Sequence, residues 1–214
     1  HTETERSLCY ATLVEVVRAV GAPAAGCAVV ALPRCLRDVA SLDVGLRRNS
    51  IYCIGILAQI GGASAIDFHG AIAEALAPMT RADRESDGGV RDNAVGAIAR
   101  LLQVIDGGHA RENASALLDV VLNALPLRND LEEGPDVYHW LASTITENPT
   151  SLADAAMTRI VGILAEVVTD GALAPIDTSR ILGIALSRAE DQRVRATLSS
   201  LPAQSQDAIR RAGA

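Results

Sequence analysis

Six side chains carry the chemistry this sequence offers: Asp92, Asp130, Glu132, Glu133, Trp140 and Glu147. Five are carboxylates, and the sixth is the only Trp in the chain. The Ser, His and Asp residues scattered along the chain occur in every protein and mark no catalytic arrangement. What the six offer is recognition, through attraction to a basic partner and one large ring that can anchor it. Residue types that often mark a catalyst are present without the pattern a catalyst needs. His1, His69, His109 and His139 share neither a helix face nor a partner Cys, so no convergent metal site is expected. The glycine pairs Gly61-Gly62 and Gly88-Gly89 are not followed by Lys-Ser/Thr, so there is no phosphate-binding loop, and no GxSxG elbow occurs. Neither enzymatic activity nor a metal or cofactor is expected.

Composition narrows the elements that could position these six. The 214 residues are 49% hydrophobic but only 2% aromatic. That much apolar side chain excludes a disordered chain. So few aromatic residues argue against an all-β sandwich or barrel. The core must come from Ala, Leu, Val and Ile, which suits closely packed helices. All 19 basic residues are Arg, and 26 acids leave a net charge of −7. The balance argues against a nucleic-acid or anionic-membrane binder and favours a basic partner. The acidity grows along the chain, with 10 Arg against 12 acids in residues 1–107 and 9 against 14 in residues 108–214. The longest uncharged run, Asn49 to Ile66, contains Asn, Ser, Gln and a Gly pair and is not expected to span a membrane. Cys9, Cys27, Cys35 and Cys53 form no CxxC pair and lie among apolar residues, which predicts buried, reduced thiols of a cytosolic or nuclear protein. The start is polar and acidic, with no signal-peptide pattern and no initial Met, so a piece of a longer chain is expected.

The strongest organising signal is an internal period of 44 residues. Arg47-Arg48-Asn49 lies over Arg91-Asp92-Asn93, Leu57 over Leu101 and Gln59 over Gln103. One slot reads Glu15, Gln59, Gln103, Glu147 and Asp191, always polar. Another reads Cys9, Cys53, Ala97, Leu141 and Ala185, always small or apolar. A period of this length, divided into two helices, is the mark of HEAT and armadillo-type solenoids. Ala94, Ala97, Ile98, Leu101, Leu102 and Ile105 follow helical spacing, with a stop at Gly107-Gly108; earlier helices stop at Gly61-Gly62 and near Gly21. The spacing predicts first helices near 24–40, 65–78, 111–125 and 150–169. It predicts further second helices near 5–20, 47–60, 136–147 and 177–189, with short closing helices at 191–200 and 203–213. Pro33, Pro78, Pro126 and Pro175 should bend or stop helices. The expected fold is all-α: a right-handed α-α superhelix of the HEAT/armadillo type, about five helix pairs, with residues 1–214 as one solenoid segment.

Three stretches, in order, resemble the importin-β family of nuclear transport receptors. Arg91-Asp92-Asn93-Ala94-Val95-Gly96-Ala97-Ile98-Ala99-Arg100-Leu101 is similar to the family's DNA-x-GA-x-ARL helix. Leu125-Pro126-Leu127-Arg128-Asn129-Asp130-Leu131-Glu132-Glu133 is similar to its LPL-x-x-D-x-EE turn. Arg48 to Ala58 resembles its RNA-x-x-x-x-G-x-LA helix. The likeness covers roughly residues 5–147 and fits the C-terminal third of the family's chains; beyond it lies only a general HEAT pattern. The resemblance implies a carrier between cytoplasm and nucleus. Its partners would be basic cargo proteins of the histone or ribosomal-protein class, bound on an acidic concave face. The small GTPase Ran would bind repeats mostly outside this segment, and nucleoporins are implied as further partners. The other reading is a HEAT scaffold or regulatory subunit without a transport role. The di-iron HEAT-repeat hydroxylases are disfavoured, because they need His-Glu pairs and no His here precedes Glu.

Within this frame the six candidates take places. Asp92 falls in the first turn of a second helix, where a carboxylate is favoured. Asn49 and Asn93, one period apart, are expected to cap a helix or tie neighbouring repeats together, with direct cargo contact as the other reading. A stripe opposite the apolar face runs Asn93, Gly96, Arg100, Gln103, and one period later Val137, Trp140, Thr144, Glu147. Trp140 thus either meets cargo or plugs the core, and Tyr52 stands in the Gly96 slot one repeat earlier. The segment 125–133 is either a solvated charged loop or a cargo contact. The first helix looks like half of a pair, and Leu8, Leu13 and Val17 are expected to be exposed on it.

Overall fold

The computed structural model describes residues 2–81, 87–105, 109–147, 152–187 and 191–212, with the backbone alone at 109–112 and 212. The fold is all-α, a helical repeat, with no strand among the described residues. It divides into two compact units, His1–Ala124 and Leu125–Ala214.

The first unit contains α1 (Glu3–Val20), α2 (Cys27–Asp38), α3 (Val44–Gly61), α4 (His69–Leu76), α5 (Gly88–Val104) and α6 (His109–Ala124). Local chemistry places the ends. Thr2 and Glu5 form a reciprocal capping box at the start of α1, and Gly21 ends it at φ +69°. Asp43 caps α3, its carboxylate accepting from the Leu46 N–H at 2.7 Å. Gly62, at φ +48°, ends α3 in backbone geometry that a side chain would strain.

α3 is the centre of this unit, packed against α1, α2 and α5. A Cβ on Gly55 would lie 2.8 Å from the Ala97 Cα, so the α3 and α5 backbones meet with no room for a methyl. Ile51, Ile54 and Leu57 of α3, and Ala94, Ile98 and Leu101 of α5, are fully buried in the core of the unit. Leu102 and Ile105, expected in the same stripe, are only half-buried, and Ile105 lies beyond the last turn of α5. The stretch Val44–Arg81 is long and apolar enough to cross a membrane, but half of its most apolar window is buried inside the unit, as befits a core helix.

Two expectations need correction here. The predicted helix 65–78 is a short α4 between 3-10 turns at Gly62–Phe68 and Ala77–Arg81. Gly61 has no Cβ, and Ala28 and Ala65 fill the space one would take, so the connection is drawn tightly against α2 and α3. Pro78 then removes an amide donor just past α4. On α1, Leu8 is exposed as expected, but Leu13 is half-buried and Val17 is buried with Tyr10 and Val14. The exposed large apolar side chains are instead Leu8, Val16 and Val20 on α1 and Val29 and Val30 on α2.

The second unit contains α7 (Gly134–Glu147), α8 (Asp154–Asp170), α9 (Pro175–Leu186), α10 (Gln192–Ser200) and α11 (Ala203–Ala212), with a 3-10 turn at Leu131–Glu133. α7 packs on α9, while α10 and α11 pack on α8. Its core is Tyr138, Leu141 and Ile145 with Met157, Ile160, Ile163 and Leu164. Pro175 occupies the first turn of α9, where its fixed φ suits a helix start. Gly171 ends α8 in the left-handed region at φ +65°. The expected stop at Gly107-Gly108 and the start of the helix at 150 lie outside the described residues.

Candidate functional site

The six candidates do not form one surface. Asp92 is 0% exposed. Its carboxylate takes the Arg91 guanidinium at 3.1 Å, and Arg91 also donates to the Ala124 carbonyl at the end of α6. Expected to meet cargo, Asp92 is enclosed instead, because α3, α4, α6 and the 3-10 turn after α4 all pack on α5. Glu133 is likewise withdrawn from water, at 5% exposure. The sequence reading missed both, since helical spacing on one element does not reveal how many neighbours surround it.

The same enclosure removes most of the α5 stripe. Asn93 and Arg100 are buried, Gly96 with them, and only Gln103 reaches the surface. Asn93 donates from Nδ2 to the Gly89 carbonyl at 2.8 Å in its own helix. Asn49 does what the ladder expectation requires: its Nδ2 donates to the carbonyl and to the Oγ of Ser7 on α1, at 3.2 and 2.8 Å. Tyr52 is engaged from both sides. Arg18 of α1 donates to its hydroxyl at 2.7 Å, and the Arg100 guanidinium of α5 lies over its ring, 5.4 Å from the centroid. The ring therefore joins three helices, a role no sequence spacing indicated.

The 125–133 turn is built, not merely solvated. Leu125 and Leu127 are buried, the Leu127 N–H donates to the Tyr138 hydroxyl at 2.8 Å, and Arg159 reaches the Leu125 carbonyl at 3.2 Å. On this anchored backbone Glu132 is exposed and Asp130 half-exposed. Trp140 is half-buried, neither a core plug nor a free ring, and Glu147 is exposed at the last position of α7.

Much of the acidity is spent internally. Asp38 accepts from Arg6 at 3.0 Å and from the Tyr10 hydroxyl at 2.7 Å. Desolvation, reinforced by the Asp38 hydrogen bond, pushes the Tyr10 hydroxyl far above its ordinary value. Arg47 reaches Asp87 at 2.7 Å and the Ser41 carbonyl at 3.0 Å. Arg193 gathers Asp191, Asp154 and the Leu152 carbonyl in the second unit. The planar guanidinium suits this work, since it can hold a carbonyl and a carboxylate together.

Two of the four cysteines, Cys35 and Cys53, are buried; Cys9 and Cys27 are exposed, contrary to expectation. Cys9 shares the repeat slot of Cys53, but on α1 that slot faces solvent. His69 is 4% exposed, and desolvation lowers its pKa. His139 is half-buried, while His1 and the His109 side chain lie outside the described residues. No group of three or more potential metal ligands gathers among the described residues.

No family model matches the chain. Importin-4 of mouse and importin-4 of human are each 30% identical to it over 204 residues, 94% of this chain. This likeness supports a relationship to the importin-β family. The chain spans 18% of the length of these importin-4 relatives. The match also corrects the extent of the likeness, because 204 aligned residues reach well past the 5–147 span in which the motifs lie. The stretch that resembles the family's turn motif is the anchored 125–133 segment, and the one that resembles its Asp-Asn-Ala helix is the enclosed α5.

Proposed function

We propose that this chain is a protein-binding HEAT-repeat segment from the C-terminal part of an importin-β-like nuclear import receptor. Residues 1–214 act as one repeat segment of that receptor, which moves between cytoplasm and nucleus. The single observation that carries the reading is the 30% identity to importin-4 across 94% of the chain. The segment binds; it catalyses nothing. Its partner is a basic cargo protein of the histone or ribosomal-protein class, held by charge attraction. Ran and nucleoporins are partners of the whole receptor, Ran mainly through repeats outside this segment. The net charge of −7 supports a basic partner. Of the acidic candidates, Glu132 and Glu147 are exposed and Asp130 partly so, which makes them the contact groups. Trp140, half-buried on the same helix as Glu147, supplies the apolar part of the contact. Asp92 and Glu133 support the fold and do not touch cargo.

The test is titration of the purified chain with an Arg/Lys-rich peptide at low and high salt. Binding that weakens as salt rises, and weakens further in a Glu132→Arg, Glu147→Arg double variant, is the expected result. Absence of binding, or binding indifferent to both salt and charge reversal, would overturn the cargo reading and leave a scaffold without a transport role.

A further inference from the structure

We draw no further inference here: the strongest candidate, the exposed apolar side chains Leu8, Val16 and Val20 on α1, carries nothing because nothing in the structure shows what covers them.

Discussion

The Gln59 side-chain amide donates to the Gln103 side-chain oxygen at 3.0 Å, and the two residues stand 44 positions apart. One period of sequence therefore equals one step across the unit, from α3 to α5. The Asn49 bonds to Ser7 make the preceding step, from α3 back to α1. A repeat held in this way depends on how closely its second helices approach, and that dependence can be measured.

The α3–α5 contact should be intolerant of a single methyl. Gly55→Ala places a Cβ 2.8 Å from the Ala97 Cα, a backbone atom that cannot swing aside. We expect a loss of about 1–3 kcal/mol in thermal or denaturant unfolding, the usual cost of overpacking. Gly183→Ala is the control, since nothing lies within 4 Å of its added Cβ in α9. It should be neutral or stabilise by up to about 1 kcal/mol through better helix propensity. Equal effects at both sites would contradict the close approach.

The two neighbouring glutamates of the 125–133 turn should behave oppositely. Glu132→Arg, at an exposed position, should leave the unfolding midpoint nearly unchanged and weaken binding of a basic peptide. Glu133→Arg puts a new cation into a buried site and should cost about 3 kcal/mol or more. Circular dichroism melts alongside peptide titrations separate the two. A Glu133→Arg variant that melts like the parent would show that the side chain is not enclosed.

Stability should fall on mild acidification through His69. Burial holds its folded pKa below the ordinary 6.5, and among the described residues its Nε2 meets no hydrogen-bond partner. Below that ordinary value the unfolded chain takes up a proton that the folded chain resists. The contribution of neutral His69 is thus complete above pH 6.5 and is lost as pH falls towards the depressed folded value. Unfolding followed from pH 7.5 to 5 should show this slope, and His69→Gln should flatten it. An unchanged slope in the variant would assign the effect elsewhere.

The four thiols should divide into two classes. Cys9 and Cys27 should react with a maleimide in the native protein. Cys35 and Cys53 should react only on unfolding. The Cys53 side chain and burial together push the Cys35 thiol far above its ordinary value, so almost no thiolate is present at neutral pH. Mass spectrometry of labelled peptides reads the result directly. Rapid native labelling of Cys35 would contradict the packing of α2 on α3.

Much of the fold was legible because its information is local or periodic. The 44-residue step and the glycine stops at Gly21 and Gly62 are written in residue type and spacing, whereas the caps Thr2 and Asp43 set helix starts a turn or less before the expected 5 and 47. The all-α class was legible as well, and the family resemblance rested on motifs that can be read along the chain. The tertiary structure decided which copies of a repeated slot face water. Cys53 is buried and Cys9 exposed in the same slot; Asp92 and Glu133 are enclosed while Glu132 is open. It also placed Tyr52 between Arg18 and Arg100. The physical reason is that helical periodicity sets the direction in which a side chain leaves its own helix. Its exposure depends on how many other helices arrive on that side, and that is a property of the packed assembly.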